Sequence, residues 1–242
     1  MTRWLPLCSV FLALAVGSPP AGSGTEGSRR SVAGPFSFEA SPGSASGNLR
    51  VRVVRAPGAQ GVFDDDVSTG VEEEELRSWL RRPGAIRQAV AVADSDAVVV
   101  DDYNFDGWPD FSVLASVGNV QINRHVYLYD PAASTFKLHE ALGEVACLRV
   151  DRSRKRLVGA CFHSSAANNW TTEYAFVAGR LRPLVRKGTD YRSQGERTLL
   201  FTFRSTYSGS DESVTVLSCV EETTSSSGAV VRRKLVTSAC AQ

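Results

Sequence analysis

The stretch Ala97–Leu114, AVVVDDYNFDGWPDFSVL, decides the fold. It places an acidic loop between two apolar, β-branched segments, Ala97–Val100 and Phe111–Leu114, which are typical of β-strands. Within the loop, oxygen-bearing side chains recur at every second residue, and Gly107 follows them. This spacing lets one short loop wrap a hard cation with oxygen ligands, and the glycine permits a tight turn. We therefore predict a calcium loop that joins two strands.

The predicted calcium loop spans residues 102–110 and supplies only oxygen ligands, which favours a hard cation over zinc. The ligands are the side chains of Asp102, Asn104, Asp106 and Asp110 and the backbone carbonyl of Trp108. The loop begins like that of an EF-hand, but Val113 stands where the closing bidentate glutamate would be needed. The alternative is an Asx-rich turn whose side chains cap its own backbone.

The length and charge of the chain limit its class and its partners. Its 242 residues can bury a substantial core, in one large β-domain or two small ones. With 27 Lys and Arg against 26 Asp and Glu, the chain has no basic excess to attract nucleic acid or an anionic membrane surface. We therefore expect neither as a partner.

Residues 1–23 are predicted to be a secretory signal peptide. Arg3 supplies the positive start, and Leu5–Val16 is an apolar run too short to span a bilayer as a helix. Glycine, serine and proline dominate the residues that follow, so residues 24–34 are predicted to be a flexible leader. Residues 35–242 are then expected to form a single all-β domain, without a membrane span, in a periplasmic or secreted protein.

Export to an oxidising compartment predicts disulfides for the four cysteines that remain after processing, Cys147, Cys161, Cys219 and Cys240. A hairpin centred near Arg154 sets Cys147 opposite Cys161, at a separation that a disulfide can bridge. Elimination pairs Cys219 with Cys240, but a tight hairpin at Ser225–Gly228 would not bring them opposite each other. Either that loop is wider or the second bridge joins different strands. Thiolate metal sites are the alternative, and the chain lacks the Cys-x-x-Cys pair typical of them.

The remaining patterns predict an antiparallel all-β fold with one short N-terminal helix. Phe36–Glu39 and Leu49–Val53 alternate apolar and polar residues, as in a hairpin with one buried face. A capping-box pattern at Thr69–Glu72 begins a helix whose apolar face contains Leu76, Trp79 and Leu80. From residue 89 onward, short strand candidates follow one another across turns without intervening helices, as in a sandwich, a barrel or a propeller.

Catalysis has little support in the sequence. The histidines His125, His139 and His163 lack metal-ligand spacing, and His125 is expected to face solvent from a strand. The chain contains no nucleophile elbow, zinc-protease helix or phosphate-binding loop. We therefore predict that the protein is not an enzyme.

Three loop tips predict contact with a partner. Each combines small polar residues with one aromatic side chain, which supplies contact area while its neighbours adapt to the partner. The predicted partner-binding residues are Ser164, Ser165, Asn168, Asn169, Trp170, Tyr191 and Tyr207. For any single tip, the alternative is an ordinary solvated hairpin loop.

The order of motifs resembles a family. The quoted motifs, in chain order, are the loop Asp102–Asp110, the strand end Tyr127–Pro131, Phe136, the turn Arg154–Lys155, the Ser/Asn loop, Glu173–Tyr174 and Gly179–Leu181. This succession resembles the periplasmic proteins that protect bacteria against peptidoglycan hydrolases delivered by antibacterial type IV secretion systems. Those proteins are similar in fold to the periplasmic inhibitors of invertebrate-type lysozyme. The resemblance covers residues 89–185.

The resemblance implies a β-propeller-like arrangement of small sheets, calcium as a structural clamp, and inhibition by a loop that enters the hydrolase cleft. The lysozyme inhibitors carry a Ser-Gly-x-x-Tyr loop, and here Ser208-Gly209 lacks that tyrosine while Tyr207 precedes the pair. We therefore prefer the loop Ser164–Trp170 as the inhibitory one. The leading hypothesis is an exported, calcium-binding inhibitor of a lysozyme-like peptidoglycan hydrolase. The main alternative is a calcium-dependent adhesion or glycan-binding module of the cell envelope. The least specific alternative is an envelope structural protein whose calcium site only holds the fold.

Overall fold

The structure is a computed structural model that describes residues 28–81, 86–88, 96–118, 121–163, 168–194, 197–224 and 230–236. These residues form sixteen strands, arranged in three sheets, and two short helices. The all-β prediction is therefore confirmed, whereas the propeller-like arrangement and the division of the chain into signal, leader and single domain stay predictions. Among the described residues, no helix is long and apolar enough to cross a membrane.

The first sheet is a four-stranded antiparallel meander. Its strands, in spatial order, are β1 (Arg29–Ala33), β2 (Phe36–Pro42), β3 (Asn48–Arg55) and β4 (Gln60–Ser68). Alternate residues of β2 and β3 are fully buried, which confirms the predicted hairpin with one buried face. β4 was not predicted, because three consecutive aspartates, Asp64–Asp66, interrupt its apolar pattern. Arg50 on β3 pairs with Asp64 at 2.8 Å.

Two details near the first sheet differ from the sequence pattern. Residues 29–33, which lie within the predicted leader, form β1 and pair with β2, and Arg29 Nη2 donates to the carbonyl of Arg81 at 2.6 Å. Helix α1 (Glu73–Arg81) buries Leu76, Trp79 and Leu80 as predicted. Its start differs from a capping box, because the Thr69 hydroxyl donates to the Gly47 carbonyl at 2.6 Å instead.

The second sheet contains the acidic loop. Its strands, in spatial order, are β5 (Ile86–Gln88), β6 (Val98–Asp101), β7 (Asp110–Val117), β8 (Ile122–Asp130) and β9 (Thr135–Leu138). β5 and β6 are parallel, which is an exception to the antiparallel prediction. A tight turn cannot join parallel neighbours, and residues 89–97 separate these two strands. A second helix, α2 (Glu140–Gly143), follows β9 and corrects the prediction of a single helix.

The third sheet is a seven-stranded antiparallel meander. Its strands, in spatial and chain order, are β10 (Leu148–Asp151), β11 (Arg156–His163), β12 (Asn169–Val177), β13 (Arg180–Gln194), β14 (Arg197–Ser208), β15 (Asp211–Thr224) and β16 (Val230–Leu235). The disulfide Cys147–Cys161 is confirmed, with a Cα–Cα distance of 5.4 Å. The ladder is displaced by one residue from the predicted register, because Leu148 pairs with Gly159. Cys147 lies just before β10 with a φ of 48° and reaches its partner from there.

Two hydrophobic clusters form the core. The larger one joins the four-stranded and five-stranded sheets with α1, and Trp108 packs against it. The smaller one includes Tyr103, Val126, Leu142 and Leu157, so it joins the five-stranded sheet and α2 to the start of the seven-stranded sheet. Residues of the acidic loop therefore contact both clusters.

Candidate functional site

The acidic loop between β6 and β7 folds around its own carboxylates. The Asp102 carboxylate accepts the backbone N–H groups of Asp106 at 3.1 Å and Gly107 at 2.9 Å. Asp106 Oδ1 accepts the N–H of Trp108 at 2.8 Å. Gly107 has a φ of 90°, which supports the prediction that a residue without a side chain is needed there. Asp102, Asn104 and Asp106 are thus brought together in one turn.

Asn104 and Asp106 interact directly within this turn. The Asn104 Oδ1 accepts the Asp106 N–H at 3.1 Å, and its Nδ2 donates to Asp106 Oδ2 at 2.9 Å. Within the described ranges, no group of three or more His, Cys, Asp or Glu side chains is arranged to hold a metal ion. The bonds are those of an Asx-rich turn, the alternative that the sequence left open. A carboxylate oxygen that accepts one N–H still has a lone pair for a cation, so these bonds are compatible with calcium.

Asp110, the last predicted ligand, is fully buried at the start of β7. Its Oδ2 accepts the N–H of Tyr103 at 2.9 Å, and its Oδ1 accepts the N–H of Tyr129 at 2.8 Å. Burial raises the pKa of Asp110 to about 8, and the negative charges of Asp106 and Asp102 add to this shift. Both Asp110 oxygens thus accept backbone N–H groups, and the nearby negative charges of Asp106 and Asp102 are ones that a cation would offset.

The acidic loop also contacts the four-stranded sheet. The Trp108 ring lies 5.2 Å from Tyr129 and 6.3 Å from Phe36, measured between centroids. The guanidinium of Arg55 lies over the Trp108 ring at 5.4 Å and donates to the Tyr129 hydroxyl at 3.2 Å. Trp108 is thus held by aromatic and cation–π contacts, and those to Phe36 and Arg55 reach a different sheet from its own loop.

Contacts to the seven-stranded sheet come from Asp101, the residue just before the loop. Arg152, in the turn between β10 and β11, donates to Asp101 Oδ1 at 2.6 Å. Burial raises the pKa of Asp101, although the bonds to Asp102 and Arg152 oppose this shift. The acidic loop therefore lies where all three sheets meet.

The buried side chain of Arg124 is linked to Tyr103 of the acidic loop through Ser112. Tyr103 is buried, its pKa is raised by burial to about 12, and its hydroxyl lies 2.8 Å from Ser112 Oγ. Arg124 Nε donates to the same Ser112 oxygen at 2.8 Å, and its Nη2 donates to the Asp96 carbonyl at 2.9 Å. Arg124 was not predicted as a site residue from the sequence. Its alternation with the buried Ile122 and Val126 in β8 was the available signal.

Two of the predicted partner-binding aromatics meet on the seven-stranded sheet. Trp170 lies opposite Gly188, and Tyr207 lies opposite Glu212. Between them, the guanidinium of Arg186 lies 5.8 Å from each ring centroid. Directly opposite residues of an antiparallel ladder share a face, so the Trp170–Arg186–Tyr207 cluster occupies one face of β12–β14. Arg186 was not predicted, because the sequence does not reveal which strands are neighbours.

Tyr191 stands on the other face of the seven-stranded sheet and does not join this cluster. Tyr191 pairs with Leu200 on β14. Along β13 it is an odd number of positions from Gly188 and Arg186, so its side chain points to the opposite face of the sheet. Tyr191 is thus separated from Trp170 and Tyr207, the other aromatic residues that were predicted to bind a partner. Beside Tyr191 lies a groove of about 460 Å³, lined by hydroxyl and apolar side chains that include Thr189, Leu200 and Ser218.

The predicted inhibitory loop is described only at its end. Ser164 and Ser165 lie outside the described residues. Asn168 Nδ2 donates to Asp190 Oδ1 at 2.6 Å, and Asn169 Nδ2 donates to Thr189 Oγ1 at 2.9 Å. Asn169 and Trp170 belong to β12 rather than to the predicted loop. The ladder between β12 and β13 continues to Asn169, which extends the strand beyond its sequence pattern.

The chain is similar in fold to a solved bacterial protein. No protein-family model matches the chain, and no curated protein matches it. A solved structure described as that of a "Xanthomonas Type IV Secretion System related protein" superposes with a TM-score of 0.54 and 13% identity. The match covers 81% of this chain and 96% of the Xanthomonas chain. At this identity the likeness concerns the fold.

Of the two cysteines of the second predicted disulfide, only Cys219 lies among the described residues. Cys219, on β15, is buried and disulfide-bonded. Cys240, its predicted partner, lies outside the described residues. The Cys147–Cys161 bridge is compatible with export to an oxidising compartment.

Proposed function

We propose that this chain is an exported, calcium-binding inhibitor of a lysozyme-like peptidoglycan hydrolase. The observation that carries the proposal is the Trp170–Arg186–Tyr207 cluster on one face of the seven-stranded sheet. Trp, Tyr and Arg are the residues that most often dominate the binding energy of protein interfaces. The similarity in fold to a type IV secretion system related protein supports a partner from that setting.

The inhibitory segment in this proposal is Ser164–Trp170, whose last two residues begin β12, and it would act by insertion into the active site of the hydrolase. β11 and β12 flank this loop, and the Cys147–Cys161 bridge ties β11 to the residues before β10. A loop held at its base loses less conformational entropy on binding, which favours affinity. The Trp170–Arg186–Tyr207 cluster would then contact the rim of the cleft.

Calcium is proposed as a structural clamp and takes no part in inhibition. When bound, the ion supplies positive charge to the carboxylates of residues 102–110. The side chains of Asp102, Asn104, Asp106 and Asp110 and the Trp108 carbonyl would hold it. Because Trp108 packs on the four-stranded sheet and Asp101 pairs with Arg152, a rigid loop would fix the three sheets relative to each other.

Inhibition can be tested on a panel of lysozymes of the chicken, goose and invertebrate types, with peptidoglycan suspensions as substrate. The intact protein should slow lysis by at least one enzyme of the panel. Trp170→Ala and Tyr207→Ala should each weaken inhibition by about 30-fold, as expected for the loss of an interface hot spot. Tyr191→Ala is the matched control, because it removes an exposed aromatic from the opposite face. Absence of inhibition and of complex formation with every enzyme would refute the proposal.

A calcium-dependent glycan-binding module is the second candidate. The groove beside Tyr191 favours it, because an exposed aromatic ring and the hydroxyls of Thr189, Thr202 and Ser218 lie on one face. Glycan-array binding that is lost with chelator and lost in Tyr191→Ala would support this function. Tyr191→Ala should keep hydrolase inhibition if the first function is correct and should lose glycan binding if the second is correct. This variant therefore distinguishes the two candidates.

A further inference from the structure

Arg186 is held by aromatic rings and has few polar contacts. Its guanidinium lies 5.8 Å from the centroids of both Trp170 and Tyr207. Its Nε is buried and has no hydrogen-bond partner among the residues that the structure describes. The nearest acidic oxygen, Glu212 Oε1, lies 3.4 Å from Nη1. That carboxylate also accepts the Tyr207 hydroxyl at 2.9 Å.

Two other arginines of the same sheet make shorter ion pairs than Arg186 does. Arg154 contacts Asp151 at 2.7 Å and Glu173 at 3.1 Å, and Arg233 contacts Glu222 at 2.5 Å. A guanidinium has five N–H donors in a planar fork that matches a carboxylate. Among the described residues, Arg186 has one ion pair, which at 3.4 Å is longer than these, and an Nε without a partner, while the two rings restrict its orientation.

We propose that Arg186 is a binding site for a carboxylate of a protein partner, with Trp170 and Tyr207 as its walls. About one third of the Arg186 side chain is exposed, at 34%, and because Nε is buried the two terminal nitrogens are left to meet the ligand. Two parallel N–H···O bonds from these nitrogens give a carboxylate strength and a defined direction. The aromatic walls exclude water and strengthen the bonds.

Glu212 restricts the ligand to one negative charge. Its carboxylate lies beside Nη1 and would repel a phosphate dianion more strongly than a carboxylate. This inference deepens the proposed function and rests on it for the identity of the partner, a hydrolase whose cleft presents acidic side chains. The carboxylate chemistry itself follows from the Trp170–Arg186–Tyr207 cluster alone.

Binding of a carboxylate to Arg186 can be tested without the partner, by NMR. The full chain is labelled with ¹⁵N, and the side-chain N–H resonance of Arg186 is followed as each probe is added. The probes are the blocked tripeptide Gly-Glu-Gly, its Gly-Gln-Gly counterpart and inorganic phosphate, at matched ionic strength. The Glu peptide should move the resonance along a saturable curve, and the Gln peptide should not. The Arg186 resonance is assigned as the one that is missing from the spectrum of the Arg186→Lys variant. Equal shifts with both peptides, or tighter binding of phosphate, would overturn the proposal.

The lysozyme panel tests the same residue in its proposed role. Arg186→Lys keeps the charge but loses the planar fork, and it should weaken inhibition by about 30-fold. Arg192→Lys is the matched control, because Arg192 also lies over a ring on that face, 5.6 Å from Phe201. If the intact protein inhibits and Arg186→Lys inhibits equally, the inference fails and the proposed function stands. If no enzyme is inhibited but the Glu peptide saturates Arg186, the proposed function fails and the inference stands.

Discussion

Asp106→Ala should remove the stabilisation that the protein gains from calcium. Asp106 accepts the N–H of Trp108 at 2.8 Å and Asn104 Nδ2 at 2.9 Å, so the substitution also removes two hydrogen bonds of the turn. Losing these bonds should lower the free energy of unfolding by about 1–2 kcal/mol, with or without calcium. For a chain of this length, that corresponds to a fall in Tm of about 2–8 °C in chelator.

Comparing Tm in calcium and in chelator distinguishes the loss of these hydrogen bonds from the loss of a calcium ligand. A ligand at a hundredfold excess over its Kd stabilises the folded state by about 2.7 kcal/mol. The wild-type protein should therefore melt about 5–11 °C higher in calcium than in chelator. Asp106→Ala should melt at the same temperature in both, because one of its oxygen ligands is missing.

Asp130→Ala is the matched control for the turn contacts. The Asp130 carboxylate accepts the N–H groups of Ala132 and Ala133 at 2.9 and 3.1 Å and pairs with Lys137 at 2.7 Å. This variant should lose a similar amount of stability in chelator and keep the full gain from calcium. Thermal melting followed by circular dichroism, in calcium and in chelator, compares the three proteins. Identical melting of the wild type in both buffers, or loss of the gain in Asp130→Ala, would refute the reasoning.

Three further predictions concern other parts of the fold. Trp108→Ala should lower the free energy of unfolding by about 2–4 kcal/mol in chemical denaturation, because it removes ring contacts to Phe36 of the first sheet and Tyr129 of the second. The variant should keep the response to calcium, because the ligand that residue 108 supplies is a backbone carbonyl. Replacing Cys147 and Cys161 by serine should cost about 3 kcal/mol by the same measurement, the value expected for a bridge with a sequence separation of 14; an unchanged midpoint would contradict this. The bonds from Ser153 and Arg154 lower the pKa of Asp151 to about 2 from its ordinary 3.8, so its stabilising contribution is present above pH 3.8 and is lost as pH falls through about 2. Asp151→Asn should therefore be less stable than wild type at neutral pH and equal to it near pH 2, and a constant difference across this range would count against the assignment.

Local patterns predicted the elements whose physics is local. The hairpin Phe36–Arg55 follows from strict alternation, and the buried face of α1 follows from helical spacing. The bridge between Cys147 and Cys161 was predicted from a hairpin whose register was wrong by one residue. It formed nonetheless, because Cys147 lies outside the regular ladder, where the backbone can turn toward its partner.

Features that depend on pairing between separate strands were not predicted correctly from the sequence. β5 and β6 are parallel, and strand neighbours joined by a crossover leave no turn pattern in the sequence. The strand β13 extends to Gln194 because β12 and β14 provide ladder partners, although its later residues are polar. Tyr191 was predicted to lie at a loop tip like those of Trp170 and Tyr207, yet it lies within β13. Its face depends on the register of β13, which spacing alone does not supply.

The sequence by itself determined that this protein is all-β, that residues 102–110 form a tight acidic turn between two strands, and that Cys147 pairs with Cys161. These features depend on residues close together in the chain. Only the tertiary structure placed that turn at the junction of three sheets and brought Arg186 between Trp170 and Tyr207. The physical reason is that sheet neighbours and side-chain faces depend on hydrogen-bond register between distant segments, which folding decides through the burial of the whole core.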